Sequence, residues 1–206
     1  MIIKKFVVFE GIDGAGTSTQ IKLLKDRPQS SKIYFTAEPT ERPTGKFLRQ
    51  ILSGNEKVSP QTAAYLFAAD RAEHLWGERG IVDQTKNGLT VVSDRYLFSN
   101  LAHQGVTCGE DLPKMLISPF PLPQLLFFFD ISAKKSLERV EKRGEAKEIY
   151  ENEKFLNDTA ARYRMIIDQY KKQADSNMRI VELDASLPKE KISDLIWNEI
   201  LPIINS

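Results

Sequence analysis

The chain has 206 residues and an almost even charge count, 29 Lys and Arg against 28 Asp and Glu for a net charge of +1. That balance excludes a polybasic nucleic-acid coat and an acidic tail, because nonspecific duplex binding draws on a large excess of Lys and Arg. A composition of 41% hydrophobic and 28% charged residues is that of a folded soluble chain, and a single cysteine, Cys108, excludes an internal disulfide and a cysteine zinc site.

No apolar run approaches the roughly 18 residues that cross a bilayer. The run Leu125 to Phe129 is the length of a strand. Met1 runs directly into a strand pattern without a basic leader, so no membrane association and a cytoplasmic location are expected.

In chain order, Phe6 to Phe9 is predicted as the first strand and Ile33 to Phe35 as the second, with a helix opened by Gly45 after it. Ser59-Pro60 pairs a cap residue with proline at the first position of the next helix. Leu89 to Val92 is the third strand, and Cys108 is expected in a loop. The proline-rich stretch Pro119 to Pro123 reads as a loop leading into the fourth strand, Leu125 to Phe129, with a helix beginning near Ser132. Phe155, Thr159, Tyr163, Ile166 and Tyr170 recur at steps of three or four, as one face of a helix does. Ile180 to Leu183 is the fifth strand, and Ser186 is the expected cap of a closing helix through Ile192, Leu195 and Ile196.

Near-continuous apolar runs are the mark of strands buried on both faces. Alternation of strand and helix then implies an α/β chain, a five-stranded parallel sheet flanked by helices on both faces. With no repeat and no linker, residues 1–206 are expected to form one domain.

Directly after the first strand stands Gly11-Ile12-Asp13-Gly14-Ala15-Gly16-Thr17-Ser18-Thr19, followed by a helical pattern. Gly11, Gly16 and Ser18 keep the spacing of the phosphate loop G-x-x-x-x-G-K-[ST]. Glycines let successive N–H groups face one anion, and the helix start adds its positive dipole end. Ser18 is a candidate magnesium ligand, while Thr17 stands where the motif has lysine. A ligand-free strand-to-helix turn is the plainer reading of the same residues. Asp94 and Arg95 close the third strand, where a carboxylate can hold magnesium and a guanidinium can bind phosphate at two points. A strand-end ion pair explains them equally when they are taken alone.

Three blocks carry a family resemblance. F-E-G-I-D-G-A-G-x-S-T-Q, L-F-A-A-D-R-A-E-H from Leu66 and D-R-Y-x-x-S-x-x-A-x-Q-G from Asp94 resemble thymidylate kinases in order and spacing. The resemblance implies a P-loop kinase fold with a short lid at about 142–152, ATP and dTMP as substrates, magnesium, and a homodimer. It further implies that Gly11 through Thr19 bind ATP and that Ser18 and Asp94 hold the metal. Phe67 would stack on thymine, Arg71 would bond the base, and Arg95 would clamp the dTMP phosphate. Ser99 and Gln104 would face the nucleoside, Asp13 would meet the sugar 3′-hydroxyl, Glu38 would lie near metal and acceptor, and Arg49 would reach the phosphate. Read from residues alone, Phe67 is ordinary core, whereas Arg71 inside an apolar stretch requires an anion or polar ligand.

The chain departs from the family pattern at Thr17, at His103 where tyrosine is common, and in the lid, where Glu148 aligns with the expected arginine. Arg143, Arg139 and Lys147 are candidate replacements, Arg143 as the catalytic cation. Arg139 or the Asp184–Ser186 loop is a candidate cover for adenine. A slow or non-catalytic nucleotide-binding protein and a deoxynucleoside kinase are the competing expectations.

Overall fold

A computed structural model describes residues 1–143, 152–173 and 177–206. The chain runs through β1 (Ile2–Glu10), α1 (Thr17–Lys25), β2 (Ile33–Ala37), α2 (Pro43–Leu52), α3 (Pro60–Trp76) and α4 (Ile81–Lys86). It continues through β3 (Thr90–Asp94), α5 (Leu97–Cys108), α6 (Asp111–Ile117), β4 (Leu122–Asp130), α7 (Ala133–Arg143), α8 (Glu153–Lys172), β5 (Arg179–Asp184) and α9 (Lys189–Ile204). The five strands form one all-parallel sheet in the order β2-β3-β1-β4-β5, which is the P-loop kinase fold expected from the sequence.

Phe6 to Phe9 and Leu125 to Phe129 are buried along their whole length, because helices cover both faces of the two central strands. Aromatic edges fill the interior: Phe9 meets Phe127 at 5.3 Å and Phe6 meets Tyr96 at 5.0 Å, both T-shaped. Ser59 caps α3 by accepting the Thr62 N–H at 3.1 Å.

The register explains where strand limits differ from expectation. β1 begins at Ile2, four residues before the apolar run, because an irregularity between Ile3 and Val7 carries Lys5 through φ 60° while its N–H bonds the Gln124 side chain at 2.6 Å. Leu122 and Pro123, expected in a loop, belong to β4 and pair with Ile2 and Ile3. Proline is tolerated there because it sits at the start of the strand.

Three further expectations are corrected. Gly45 does not open its helix, which starts at Pro43; Gly45 is the third residue, and a Cβ there would stand 2.0 Å from the Thr40 carbonyl oxygen. Ser186 caps no helix: its N–H bonds Asp184 Oδ1 at 2.9 Å in a turn, and α9 starts at Lys189 after Pro188. Cys108 is the last residue of α5, ahead of Gly109 at φ 79°. Of the expected lid, residues 144–151 lie outside the described residues, and with them Lys147, Glu148 and the side chain of Arg143.

Candidate active site

The chain leaves β1 at Glu10 and curls through Gly11–Gly16 into α1. Gly14 and Gly16 take φ 77° and 101°, the left-handed region that L side chains rarely adopt. A Cβ on Gly14 would also stand 2.6 Å from the Ser136 carbonyl oxygen. Side chains from α7 hold the curl in place. Ser136 donates its hydroxyl proton to the Asp13 carbonyl, and Arg139 reaches the Gly14 and Ala15 carbonyls at 3.4 Å and that of Ala185 at 2.8 Å. The first N–H groups of α1 have no acceptor within the helix and carry its positive end, which makes the loop an anion cradle.

Two cavities meet at this loop. One, of about 530 Å³, is bounded by Arg139, Ala185, Lys22 and Lys189; the other, of about 340 Å³, runs from Asp13 to Arg71. Thr17 and Ser18 line both.

At the junction, Ser18 Oγ donates to Asp94 Oδ2 at 2.9 Å, and Asp94 Oδ1 is buried without a partner. A hydroxyl beside a carboxylate with a spare oxygen fits magnesium, a hard cation that takes one or two carboxylates plus phosphate oxygens and water. Among the described residues no three or more His, Cys, Asp or Glu converge, so these residues offer an open site rather than a closed cage.

Arg95 stands next to it at φ 71°, an uncommon backbone for so large a residue. Its backbone is pinned by Arg95 N–H to Phe9 O at 2.9 Å and by Ser93 Oγ to Arg95 O at 2.8 Å. The guanidinium pairs with Asp13 and donates to Gly11 O at 3.1 Å and Ser99 Oγ at 3.2 Å. Burial works against its charge, but Asp13 leads the carboxylates and polar groups that outweigh this and raise its pKa.

Arg71 closes the far end. Its Nη2 donates to Glu38 Oε2 and Asn100 Oδ1, each at 2.5 Å, and its carbon centre lies 5.1 Å from the Tyr96 ring centroid. Nε and Nη1 are buried without partners. Glu38, expected near metal and acceptor, engages Arg71 with one oxygen and His74 Nδ1 with the other, at 3.0 Å, while His74 Nε2 contacts Thr36 Oγ1 at 2.7 Å. Burial alone would raise the Glu38 pKa; Arg71 and His74 instead hold it below the usual carboxylate range.

Phe67, Gln104, Ser99 and Arg49 all line this second cavity, so the structure gathers these candidates with Asp13, Asp94 and Arg95. Phe67 is half-buried against the cavity rather than sealed in the core. Arg49 donates to the Pro39 carbonyl at 2.5 Å and pairs with Glu41 at 3.2 Å. His103 lines the wall with Nδ1 against the Ser99 carbonyl at 3.0 Å; burial, helped by the Arg95 charge, lowers its pKa to about 4 and keeps the imidazole neutral at neutral pH. Arg139 stands in the other cavity, as does the start of α9.

Sequence reasoning missed Asn100, Glu10 and Tyr163. Glu10 was legible as a charged residue ending an apolar run, but nothing in the pattern pointed to Tyr163, which shares the core face of α8 with true hydrophobes.

Known proteins resemble this chain over most of its length. A family model described as thymidylate kinase matches residues 9–196. A Treponema pallidum relative bearing a thymidylate kinase name is 37% identical over 200 residues, covering 97% of this chain and 96% of its own. Relatives so named from Methanococcus maripaludis and Pyrococcus abyssi are 36% and 34% identical, with 98% and 95% of this chain and 96% and 97% of theirs covered.

Proposed function

The chain belongs to the thymidylate kinase family, and from that premise we propose that it transfers the γ-phosphate of ATP to dTMP, giving dTDP and ADP. One observation carries the reading: two cavities share Thr17 and Ser18 at an anion cradle, and the second ends at a buried arginine with two free donors.

ATP takes the larger cavity, its phosphates on Gly11 through Thr19 and its adenine against Arg139. The acceptor lies along the smaller one. Arg71 turns Nε and Nη1 to a carbonyl edge of thymine while Phe67 stacks on the ring, an apolar body fixed by a few polar points. Cytosine would bring an amino donor to donors, so dCMP is rejected. Arg95 exchanges the Asp13 carboxylate for the dTMP phosphate, and Asp13 is released toward the sugar 3′-hydroxyl. Ser99 and Gln104 face the nucleoside, and Arg49 reaches its phosphate from α2.

Ser18 and Asp94 would hold magnesium, which supplies neutralising charge to the phosphates. Transfer in line spreads charge over the phosphoryl oxygens, and Arg95 answers it on the acceptor side. Arg143 supplies the lid cation, with Lys22 and Lys189 bounding the same cavity. Residues 1–206 act as one cytoplasmic kinase unit, and exposed Tyr65 and Trp76 on α3 with Met115 on α6 support a homodimer.

A coupled ADP-release assay across dTMP, dUMP, dCMP and thymidine tests the reading. Turnover is expected with dTMP; phosphorylation of thymidine without dTMP turnover would instead make it a deoxynucleoside kinase. Thr17 favours one second reading, a nucleotide-binding protein that does not catalyse, in which ATP and dTMP bind and no ADP forms.

A further inference from the structure

Glu10 is fully buried at the end of β1, yet no step above uses it. Four donors converge on its carboxylate. Tyr96 N–H at 2.8 Å and Ser99 N–H at 3.2 Å point to Oε1; Ser99 Oγ at 2.6 Å and Tyr163 OH at 2.8 Å point to Oε2. The first turn of α5 has no side-chain cap of its own, so a carboxylate from another strand caps it.

Ser99 has one hydroxyl proton. Directed at Glu10, it leaves the lone pairs of Oγ to accept Arg95 Nη1 at 3.2 Å and face Tyr163 OH at 2.9 Å. Turned away from Glu10, that proton would have to go to Tyr163 Oη at 2.9 Å, displacing a hydroxyl that itself donates to Glu10, or point at a guanidinium, which has no acceptor to offer. Arg95 is thereby fixed from three sides, by Asp13, by the Gly11 carbonyl and by a hydroxyl whose sense Glu10 dictates.

We propose that Glu10 is a positioning residue for the acceptor phosphate, acting through Ser99 to fix Arg95 while tying strand β1 to helices α5 and α8. The proposal rests on the reading of Arg95 as the clamp on dTMP. Arg95 and Tyr163 are the charged and titratable side chains that act on the carboxylate, Tyr163 by direct contact and Arg95 through its charge, and Tyr96 meets it through its backbone N–H. Burial raises the Glu10 pKa to about 7 against the hydrogen bonds of Ser99, Tyr163 and Tyr96 and the charge of Arg95. A fully buried carboxylate that takes four hydrogen bonds from the N-terminus of α5 and from α8 is placed for what it orients.

The test compares dTMP and thymidine affinity by titration calorimetry in wild type, Glu10→Gln, Ser99→Ala and the double variant. In Glu10→Gln the amide oxygen keeps the two N–H donors, and its NH₂ must face Ser99 and Tyr163, reversing the hydroxyl. Glu10→Gln is expected to bind dTMP roughly tenfold more weakly, the size of one hydrogen bond to a charged group, with thymidine unaffected. Ser99→Ala should lose dTMP affinity by the same factor, the thymidine control being read in Glu10→Gln because Ser99 itself faces the nucleoside, and the double variant should lose no more dTMP affinity than either. Equal dTMP affinity in folded Glu10→Gln, additive losses, or equal loss of thymidine would overturn the proposal. If Glu10→Gln does not fold, Ser99→Ala with wild-type dTMP affinity overturns it alone. Wild-type protein that binds thymidine but not dTMP would instead overturn the reading of the acceptor.

Discussion

Glu38 and Arg71 meet at 2.5 Å with side chains 5% and 1% exposed, and Arg71 keeps two further nitrogens unpartnered. A buried guanidinium with spare donors is costly unless something arrives to accept them. The carboxylate therefore does two things: it neutralises the arginine in the free protein, and it leaves Nε and Nη1 for the base.

Stability and recognition at this pair are separable. Arg71→Met is expected to lower stability by about 3–5 kcal/mol, because Glu38 is then a buried charge without its cation. Adding Glu38→Gln should restore much of the melting temperature, while the KM for dTMP stays raised in both variants. Thermal melts beside steady-state kinetics check this, and a double variant with restored dTMP KM would show that Arg71 does not touch the base.

Thr17→Lys restores a cation at the residue shared by both cavities. If transfer is limited by missing charge on the phosphates, kcat should rise about tenfold or more while the KM for dTMP changes little. Unchanged turnover in a variant that still binds ATP would indicate that Lys22, Lys189 or a lid cation already supplies that charge.

The centre of the fold was legible because its physics is local. Phe6 to Phe9 and Leu125 to Phe129 are unbroken apolar runs, and Gly11, Gly16 and Ser18 announce the loop by spacing. Arg71 stood out as a charge inside an apolar helix stretch. What escaped depends on partners distant in sequence. Lys5 kinks β1 because Gln124 takes its N–H, and Pro123 enters a strand because Ile3 lies beside it. Ser186 has the composition of a cap, yet Asp184 and Pro188 decide its turn. Tyr163 reads as one more apolar-face residue until its hydroxyl is seen 2.8 Å from Glu10.

Glu10 also gives the protein an unusual pH dependence. Its folded pKa is about 7 against an ordinary value of 4.5, so the folded state binds the extra proton between those limits. Its contribution to stability is fully present below about pH 4.5 and is lost as pH rises through 7, because ionisation puts an incompletely compensated charge in the interior. The loss is on the order of 3 kcal/mol, from about 1.4 kcal/mol per pH unit. Glu10→Gln removes this term, so its stability relative to wild type should rise from pH 4.5 to 7 and level off above. Urea melts of both proteins across pH 4 to 8 measure the difference, and a flat difference would mean that Glu10 stays ionised throughout.

Asp94→Asn separates metal binding from acceptor binding at one atom. The amide oxygen can still accept the Ser18 hydroxyl, which Asp94 Oδ2 now does at 2.9 Å, while NH₂ replaces the buried, unpartnered Oδ1. A donor in that place cannot ligate a cation. The magnesium concentration giving half-maximal turnover is expected to rise, and kcat to fall about tenfold to a hundredfold. Binding of dTMP measured without metal should remain within about twofold, since Arg71 and Arg95 are untouched. Chelation of magnesium from wild type should abolish ADP release and leave dTMP binding in place. Loss of dTMP binding in Asp94→Asn at an unchanged magnesium requirement would reassign Asp94 to the acceptor.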